Sequence, residues 1–565
     1  MEIVRRTVPA SAVALAAAGI GPVLARVYAA RGVCSPGELK LDFAGLPSWT
    51  LLKGIDAAAD RLVRAIEHRE RLLIVADYDA DGATACAVGV LGLRALGASV
   101  DFLVPNRFEF GYGLTPEIVA LAGERSPSLI ITVDNGIGSV EGVAAAQGLG
   151  IEVLITDHHL PGAELPSTEL IVNPNQPGCS FPSRHLAGVG VMFYVLLALR
   201  ACLRERGHFA GRSEPNLAAL LDLVALGTVA DVVTLDHVNR ILVGQGLRRI
   251  RAGRMQPGVR ALLKAAGRDP TRASTYELGF VAGPRLNAAG RLADMSLGIA
   301  CLLAADDRSA APLAAELERL NQERREVETT MHAQALDGLE PIVGEDQYTV
   351  CVYHPEWHQG VVGIVASRLK DRFHRPVMVF APASDGELRG SGRSILGFHL
   401  RDAIDLVAKR TPGIIRRFGG HAYAAGLSLV ADALPAFAAA FEQVARERLS
   451  PSALRLTVET DGELEADALT LALAREIGAE VWGQGFPAPL FEGEFGILEQ
   501  RVIAGRHTRL ALAGSARLQA IVFDEVGPVP ERIRATYRPE VNRFQDLESL
   551  QLVIDSWRPV SADGS

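Results

Sequence analysis

Arg71-Leu-Leu-Ile-Val-Ala-Asp-Tyr-Asp-Ala-Asp-Gly82 joins a short apolar run to three carboxylates at alternate positions. A continuous apolar run this short is typical of a strand that is buried on both faces, as in a parallel sheet. The small residues from Ala83 to Leu96 then predict a helix. The stretch therefore predicts the first strand and helix of an α/β fold with a parallel sheet.

Further apolar runs continue this pattern. Strands are predicted at Ala98 to Val104, Ser128 to Val133 and Ile151 to Thr156. The second of these runs ends at Asp134, the third ends at Asp157-His158-His159, and Asp231 closes a later apolar run. Ligands bind beyond the carboxyl ends of parallel strands, so we expect these side chains to meet at one edge of the sheet.

The three carboxylates Asp77, Asp79 and Asp81 would share one face of an extended chain. Like charges this close raise one another's pKa unless a cation offsets them, and hard divalent ions prefer oxygen ligands. Taken alone, the motif is also compatible with a solvated turn or a fragment of an EF-hand, although the other Ca²⁺ ligands are missing. Acids and an imidazole at four element ends predict a site for two divalent cations, Mn²⁺ or Mg²⁺.

The rest of the chain predicts several domains. A long, charged and exposed helix is expected from Pro312 to Leu339, and a second α/β unit from Gln347 to Arg448. That unit has predicted strands and helices at Tyr348 to Tyr353, Val377 to Phe380, Val361 to Phe373 and Leu400 to Lys409. Short strands after Pro451 predict a small antiparallel barrel; they are expected at Leu454 to Val458, Ala504 to Leu512, Arg517 to Phe523, Arg532 to Pro539 and Ser549 to Ile554. The predicted boundaries are 1–50, 51–305, 306–340, 341–450 and 451–565.

Composition limits the class of protein. The 565 residues carry a net charge of −9, which does not favour nucleic-acid binding, but net charge is a weak guide when a metal site collects carboxylates. Residues 248–272 are locally basic, which fits either a nucleic-acid contact or simply a solvated helical face.

No apolar run is long enough to span a membrane. The Ala-rich N-terminus superficially resembles a secretory signal, but Glu2 lies in its basic segment, and Pro9, Ser11 and Pro22 interrupt its apolar run. An amphipathic helix is predicted from about Gly21 to Ala30 instead. Six scattered cysteines without a CxxC pair indicate a reduced, cytoplasmic protein.

The acidic motifs occur together with other distinctive motifs in a fixed order. These are Gly111-Tyr-Gly-Leu114, Gly283-Pro-Arg-Leu-Asn-Ala-Ala-Gly-Arg-Leu292, Trp357-His-Gln-Gly-Val-Val-Gly-Ile-Val-Ala-Ser-Arg-Leu369, Ser391-Gly-Arg-Ser394 and Phe418-Gly-Gly-His421. The set resembles the DHH phosphoesterase superfamily in its RecJ branch. The resemblance implies a single-stranded-DNA-specific 5′→3′ exonuclease of DNA repair and recombination that releases mononucleotides. It also implies a DHH domain, a connecting helix, a DHH-associated domain and an OB-type barrel.

The resemblance also assigns roles to residues. It implies two divalent cations held by Asp77, Asp79, Asp81, Asp134, Asp157, His158 and Asp231. His159 and His421 are expected to be catalytic. His159 would contact the phosphate or orient a metal ligand, and His421 would contact the scissile phosphate. The residues expected to contact the DNA are Arg107, Tyr112, Arg285, Asn287, Arg291, Ser391, Arg393, Gly419 and Gly420. Ser391 and Arg393 would hold the 5′-terminal phosphate, with Arg107 as a further candidate for the same pocket. Ion pairing at a domain interface stays an alternative for Arg285 and Arg291, and simple loop packing for Tyr112.

Two rival functions remain open on the sequence. A small-substrate DHH enzyme would act on short oligonucleotides or cyclic dinucleotides, and its relatives are usually shorter and lack the barrel. A non-catalytic replication scaffold would have lost ligands that are all present here. The partners implied by the resemblance are single-stranded DNA, a single-strand-binding protein and a helicase.

Overall fold

The computed structural model describes residues 2–105, 113–339, 346–383, 386–514, 518–545 and 547–560, with the backbone alone for 338 and 339. The chain divides into two compact units. One comprises Arg5–Glu318 with Glu459–Ser565, and the other comprises Arg319–Val458 with the residues before Arg5. No helix within the described ranges is both long and apolar enough to cross a membrane. The domain boundaries predicted from the sequence stay predictions.

The N-terminal elements lead into the first sheet. They are β1 (Glu2–Arg5), α1 (Ser11–Ala17), α2 (Pro22–Ala29) and α3 (Ile55–Glu67). Helix α2 begins and ends within one residue of the predicted helix, with Pro22 in its first turn. The fixed φ of proline suits that position.

The first sheet is entirely parallel and has the order β3-β2-β4-β5-β6. Its strands are β2 (Arg71–Ala76), β3 (Ser99–Leu103), β4 (Leu129–Val133), β5 (Glu152–Thr156) and β6 (Ile171–Val172). The helices around it are α4 (Ala80–Ala95), α5 (Pro116–Gly123), α6 (Val140–Gly148), α7 (Gly188–Glu205), α8 (Leu221–Ala230), α9 (His237–Arg251), α10 (Pro257–Ala265), α11 (Gly283–Leu292) and α12 (Ser296–Leu302). A π-helix, Glu277–Ala282, leads into α11. This confirms the predicted α/β fold.

The chain reverses direction across this sheet next to its first strand. It passes from β2 to β3 on one side and then returns to place β4 on the other side of β2. All five residues of β4 are buried. The point between β2 and β4 is a topological switch point, where open α/β sheets form their ligand crevice.

Two local predictions about the acidic residues are wrong. Helix α4 begins at Ala80 rather than Ala83, so Asp79 caps it and Asp81 lies in its first turn. The three carboxylates therefore do not share one face of an extended chain. Asp231 follows helix α8 and not a strand. An apolar run of ten residues is long enough for a buried helix, and periodicity alone does not separate the two cases.

A long helix, α13 (Asp307–Leu339), follows the first α/β region. It begins five residues before the predicted start and contains Pro312. The prediction of a wholly exposed helix is wrong, because Ala310, Leu317, Leu320 and Met331 are buried. Its apolar positions therefore have packing partners that a count of charged residues does not reveal.

The second unit contains a mixed five-stranded sheet in the order β10-β11-β9-β8-β7. Its strands are β7 (Val350–Tyr353), β8 (Val377–Pro382), β9 (Glu387–Arg393), β10 (Arg417–Gly420) and β11 (Ala424–Val430). Its helices are α14 (Val362–Phe373), α15 (Leu400–Arg410) and α16 (Leu434–Arg448). The aromatic side chains of Phe380, Phe437 and Phe441 form part of its core. Strands β9 to β11 were not predicted, because their glycines are unfavourable in strands.

The C-terminal region forms the predicted closed barrel, in the order β13-β14-β15-β17-β16. Before it come β12 (Thr457–Thr460) and α17 (Leu471–Ala479), and its strands are β13 (Phe491–Ile503), β14 (His507–Leu512), β15 (Leu518–Val522), β16 (Arg532–Phe544) and β17 (Leu547–Pro559). Three details differ from the prediction. Strands β15 and β17 are parallel, β13 was missed, and the predicted strand from Leu454 to Val458 overlaps β12, which pairs with β1 outside the barrel.

The region before the barrel is fixed to the N-terminal helices of the same unit. The Arg31 guanidinium pairs with the Asp461 carboxylate at 2.7 and 3.0 Å, and both side chains are buried. The rings of Tyr28 and Trp482 stack at 5.9 Å. A buried, bidentate pair is costly to break because either partner alone would be an uncompensated charge.

Candidate metal centre and phosphate-binding residues

Acidic residues follow the three adjacent strands at the switch point of the first sheet. Asp77 comes directly after β2, Asp134 after β4 and Asp157 after β5. The Asp77 backbone N–H donates to the Val133 carbonyl at 3.3 Å, so the strand ends stay paired up to the first carboxylate. The sheet therefore brings side chains from distant parts of the sequence to one edge, as predicted.

The loop between β2 and α4 is held by its own side chains and by α11. The Asp77 carboxylate accepts a hydrogen bond from the Tyr78 N–H at 2.8 Å, and Asp79 accepts one from the Gly82 N–H at 3.0 Å. The Asn287 side-chain carbonyl accepts from the Ala80 N–H at 2.8 Å. Asn287 was predicted to contact DNA, and in the structure its oxygen orients the acidic loop.

Asp81 lies against the N-terminus of helix α7. Its two carboxylate oxygens accept hydrogen bonds from the Gly188 and Val189 N–H groups, at 2.7 and 2.9 Å. A Cβ atom at Gly188 would lie 2.6 Å from an Asp134 carboxylate oxygen, so only glycine fits there. The partial positive charge of a helix N-terminus stabilises a carboxylate in this position. Sequence reasoning missed this helix, and its only signal was a glycine at the start of an apolar run.

The side chains from these elements converge on two shared residues. The His158 Nε2 atom lies 3.0 Å from an Asp134 oxygen and 3.7 Å from an Asp231 oxygen. Ligand atoms within 4.8 Å of one another form three overlapping groups: Asp77–Asp79–Asp134, Asp81–His158–Asp231 and Asp134–His158–His159. Because Asp134 and His158 each belong to two groups, two ions bound here would be close neighbours, as in two-metal hydrolases.

Asp157 has a different environment from the other acidic residues. Among the described residues it belongs to none of the three groups. One oxygen accepts from the His158 and His159 N–H groups and lies 2.8 Å from the His159 Nδ1 atom, and the other accepts from the Ile137 N–H at 2.9 Å. Burial raises the pKa of Asp157, but the His159 hydrogen bond, the charges of both imidazoles and the Ile137 N–H together hold it below its usual value. Asp157 thus orients the His159 imidazole and holds the backbone of His158, and its assignment as a metal ligand stays a prediction.

The crowded carboxylates have raised pKa values. Burial and then the charges of Asp231 and Asp79 raise the pKa of Asp81. Burial and the Asp79 charge raise the pKa of Asp231 to about 7. Burial is also the main cause of the raised pKa of Asp134. A bound cation would reverse this repulsion, so the carboxylates suit divalent ions.

The two imidazoles are electrostatically distinct. Burial and the charge of His159 lower the pKa of His158 to about 4, so His158 is neutral at physiological pH. Its Nε2 atom is buried and makes no hydrogen bond of acceptable geometry within the described part of the chain. Burial would lower the pKa of His159 as well, but its hydrogen bond to Asp157 and the charges of Asp157, Asp77 and Asp231 together raise it to about 9. A neutral nitrogen without a hydrogen bond beside carboxylates fits a metal site of the Mn²⁺ type.

Backbone strain is concentrated at the same place. Asp134 has a φ of +62° and Val232, directly after Asp231, has a φ of +66°. Non-glycine residues rarely adopt this conformation, and for a β-branched residue such as valine it is a true outlier. Strain of this kind persists where the surrounding structure fixes a functional geometry. The strained backbone at these positions supports a functional role for Asp134 and Asp231.

Ser391 and Arg393 lie on β9 of the second unit. Arg393 donates to the Ser391 hydroxyl at 3.3 Å and to the Gly392 carbonyl at 2.8 Å. A Cβ atom at Gly363, in the first turn of α14, would lie 3.0 Å from the Ser391 hydroxyl and 3.2 Å from an Arg393 nitrogen. A helix N-terminus, an arginine and a hydroxyl together suit a phosphate.

Gly419, Gly420 and His421 end β10 in the same unit. Gly420 has a φ of +138°, and a Cβ atom there would lie 2.4 Å from the Ala424 carbonyl oxygen. The Tyr423 N–H donates to the His421 Nδ1 atom at 3.3 Å. The neutral form of His421 therefore carries its proton on Nε2.

The remaining predicted residues differ in their environments. Arg285 is buried, forms an ion pair with Glu318 and donates to the Val281 carbonyl at 2.6 Å. That ion pair is the alternative that the sequence left open for Arg285. Arg291 is half-buried near the end of α11. Arg107 and Tyr112 lie outside the described residues.

Comparison with known proteins identifies the family. Residues 71–228 match the DHH family N-terminal domain, 345–447 match the DHHA1 domain, and 460–556 match the RecJ OB domain. The single-stranded-DNA-specific exonuclease RecJ of Escherichia coli (strain K12) is 49% identical over 558 residues, which cover 96% of this chain and 97% of that protein. The chain belongs to the RecJ family. The family resemblance is thereby confirmed, and the small-substrate alternative is not favoured.

Solved RecJ structures agree with this assignment. The structure of RecJ from Thermus thermophilus in complex with Mn²⁺ is similar with a TM-score of 0.83 and 30% identity, covering 99% of this chain and 80% of that one. A Mg²⁺ complex from the same organism has a TM-score of 0.77, with 29% identity and coverage of 99% and 78%. The predicted fold and the expectation of Mn²⁺ or Mg²⁺ are confirmed at the level of the RecJ family.

Proposed function

We propose that this RecJ-family chain is a single-stranded-DNA-specific 5′→3′ exonuclease that releases mononucleotides by phosphodiester hydrolysis. The observation that carries the proposal is the convergence of carboxylates and imidazoles from three strand ends and two helices in groups that share Asp134 and His158. The site alone supports a phosphoesterase. The barrel and the likeness to RecJ over nearly the whole chain support a polymeric DNA substrate.

The residues proposed to hold two divalent cations are Asp77, Asp79, Asp81, Asp134, His158 and Asp231, with Asp157 as a further candidate. When bound, such ions supply activation of water and neutralisation of charge at the phosphate. The chain itself contributes the alignment of these ligands. Asp157 fixes the His159 imidazole and the His158 backbone, and Asn287 fixes the acidic loop. His159, whose pKa the Asp157 carboxylate raises, would donate a hydrogen bond to a phosphate oxygen.

The polarity of degradation is proposed to come from the second unit. Ser391, Arg393 and the N-terminus of α14 would bind the 5′-terminal phosphate. His421, with its proton on Nε2, would donate to the scissile phosphate, and the absence of side chains at Gly419 and Gly420 would permit close approach. Contacts of Arg107, Tyr112, Asn287 and Arg291 with the strand stay predictions.

The proposed cellular role is in DNA repair and recombination, together with a single-strand-binding protein and a helicase that supplies unwound ends. The proposed location is the cytoplasm. All six cysteines are free thiols, which fits a reducing compartment.

End-labelled oligonucleotides test this function directly. We expect a 5′-labelled single strand to release labelled mononucleotide at once in Mn²⁺ or Mg²⁺, and a 3′-labelled strand to shorten step by step. Duplex DNA should resist, and a chelator should stop the reaction. Release of a 3′-terminal mononucleotide first would contradict the polarity. Hydrolysis confined to dinucleotides or cyclic dinucleotides would revive the small-substrate alternative.

A further inference from the structure

Two aromatic rings stack on the surface of the first unit, exposed to solvent. Tyr276 and Phe280 have centroids 5.3 Å apart and planes 24° apart. Tyr276 is 53% exposed and Phe280 is 69% exposed. Large aromatic side chains bury surface wherever packing allows, so a stacked and exposed pair indicates a binding surface.

The local structure holds this pair outward. Phe280 lies in the π-helix Glu277–Ala282, with Tyr276 directly before it. The Glu277 carboxylate accepts hydrogen bonds from the Ser274 N–H and hydroxyl groups, at 2.9 and 2.6 Å, and so caps the turn. Single π-helical turns are rare in proteins, and those that occur are often found at functional sites. The exposed stack is therefore carried by an unusual element of the backbone.

The segment that carries the pair packs against the helix that ends just before Asp231. A Cβ atom at Gly279 would lie 3.1 Å from a Val229 methyl group, and one at Gly283 would lie 3.0 Å from the Ala230 Cβ atom. Val229 and Ala230 directly precede Asp231, whose carboxylate faces His158. The segment that carries the rings thus packs against the end of the helix that carries a proposed ligand.

The surface beside the rings is positively charged. The Arg268 guanidinium lies 5.9 Å from the centre of the Tyr276 ring. Within the described ranges no carboxylate pairs with Arg268, and Arg254 is exposed in the same basic stretch. Aromatic rings with adjacent arginines are the usual means by which proteins hold single-stranded nucleic acid, through base stacking and phosphate attraction. A protein partner would not need these charges.

We propose that Tyr276 and Phe280 form a stacking platform for a base of the DNA strand close to the metal centre, with Arg268 attracting the neighbouring phosphate. The proposal rests on the proposed exonuclease function and adds a strand-binding site. The platform holds a base of any identity, since every base has a π-face.

A series of abasic oligonucleotides tests the platform. Each 5′-phosphorylated strand carries one abasic position, and binding to the full chain is measured by fluorescence anisotropy in chelator, where no hydrolysis occurs. For the native protein we expect about tenfold weaker binding when the base at one or two adjacent positions is missing. For Tyr276→Ala/Phe280→Ala we expect about tenfold weaker binding of the intact strand, and no additional loss at those positions.

Matched variants separate stacking from other effects. Phe280→Tyr keeps the ring and should bind like the native protein. Phe43→Ala removes an exposed ring (45%) outside the barrel and the proposed sites, and should leave binding unchanged. Equal melting temperatures exclude misfolding. Abasic losses that persist in the double variant, or an unchanged affinity of that variant, would overturn the platform. Failure of the native protein to bind or hydrolyse any single strand would instead overturn the proposed function.

Discussion

Asp134 is the most constrained side chain of the candidate centre. Its backbone has a φ of +62°, its carboxylate belongs to two of the three ligand groups, and burial raises its pKa. The positive φ and the buried charge both destabilise the folded state. Features that cost stability persist where function requires them, so they support a functional role for Asp134. The same reasoning applies to the neutral imidazole of His158, which lies between two carboxylates.

Asp134→Ala should abolish hydrolysis and leave the fold intact. We expect a loss of at least about a thousandfold in kcat, because loss of the shared ligand disrupts both proposed ion sites. In chelator the melting temperature should not fall, since one repelling carboxylate has gone. Asp432→Ala, at an exposed position of the second unit, is the control. An active Asp134→Ala protein would exclude the two-metal site.

Asp222 makes stability depend on pH. Burial raises the pKa of this carboxyl group to about 6, although the Gln256 N–H donates to it. The folded state therefore holds the proton more tightly than the unfolded state. The protonated carboxyl group of Asp222 therefore contributes at most about 3 kcal/mol to the free energy of unfolding. This contribution is fully present below about pH 4 and is lost as pH rises through about 6.

The Asp222→Asn variant removes this titration. We expect its melting temperature to exceed that of the native protein by more at pH 7.5 than at pH 5, as measured by calorimetry at both values in chelator. Asn keeps an acceptor for the Gln256 N–H, so the comparison isolates the charge. An equal difference at the two pH values would show that the carboxyl group does not titrate in this range.

Helix α7 is the element that brings the two halves of the centre together. Its first two N–H groups hold Asp81, and Gly188 leaves room for Asp134. Gly188→Ala should push the start of α7 away and lower kcat by at least about tenfold. Gly138→Ala, in the loop after Asp134, meets no atom within 4 Å and is the matched control. Equal activity of the two variants would contradict the positioning role of α7.

The elements differ in how far the sequence predicts them. Strands β2 to β5 agree with prediction to within one residue, because continuous apolar runs between charged ends have one favourable placement in a parallel sheet. The strands with Gly-rich sequences, β9 and β10, were missed because glycine is unfavourable in strands, although each forms a hairpin with a strand close in sequence. Positions near the ends of elements were the least predictable. Asp81 lies within a helical turn and Asp231 follows a helix.

The same limit applies to the candidate site. The acidic residues were identified from their positions after apolar runs, and the structure brings six of the seven predicted ligands into common groups. The partners that orient them were not predictable. Backbone N–H groups of Ile137, Gly188 and Val189 have no sequence signal, because any residue could supply them. The ion pair of Arg285 likewise depends on where α13 packs.

At the scale of the whole molecule, the metal centre links catalysis to stability. Divalent ions that bind only the folded state stabilise it by about 2.7 kcal/mol at a hundred times their dissociation constant. Mn²⁺ should therefore raise the melting temperature of the unit that contains Asp134 by several degrees, and a chelator should reverse the change. Calorimetry of the native protein and of Asp134→Ala tests this. A shift of equal size in the variant would place the bound ion elsewhere.

The pairing of Arg31 with Asp461 has a consequence for synthesis on the ribosome. The two residues are separated by 430 positions. At about 5–20 residues per second, Arg31 waits about 20–90 seconds before its partner is made. During that time the apolar face of α2 lacks the segment before the barrel, including Trp482, that covers it in the folded protein. The nascent chain thus exposes this face of α2 until translation nears its end. A chaperone that shields α2 should therefore raise the yield of active enzyme.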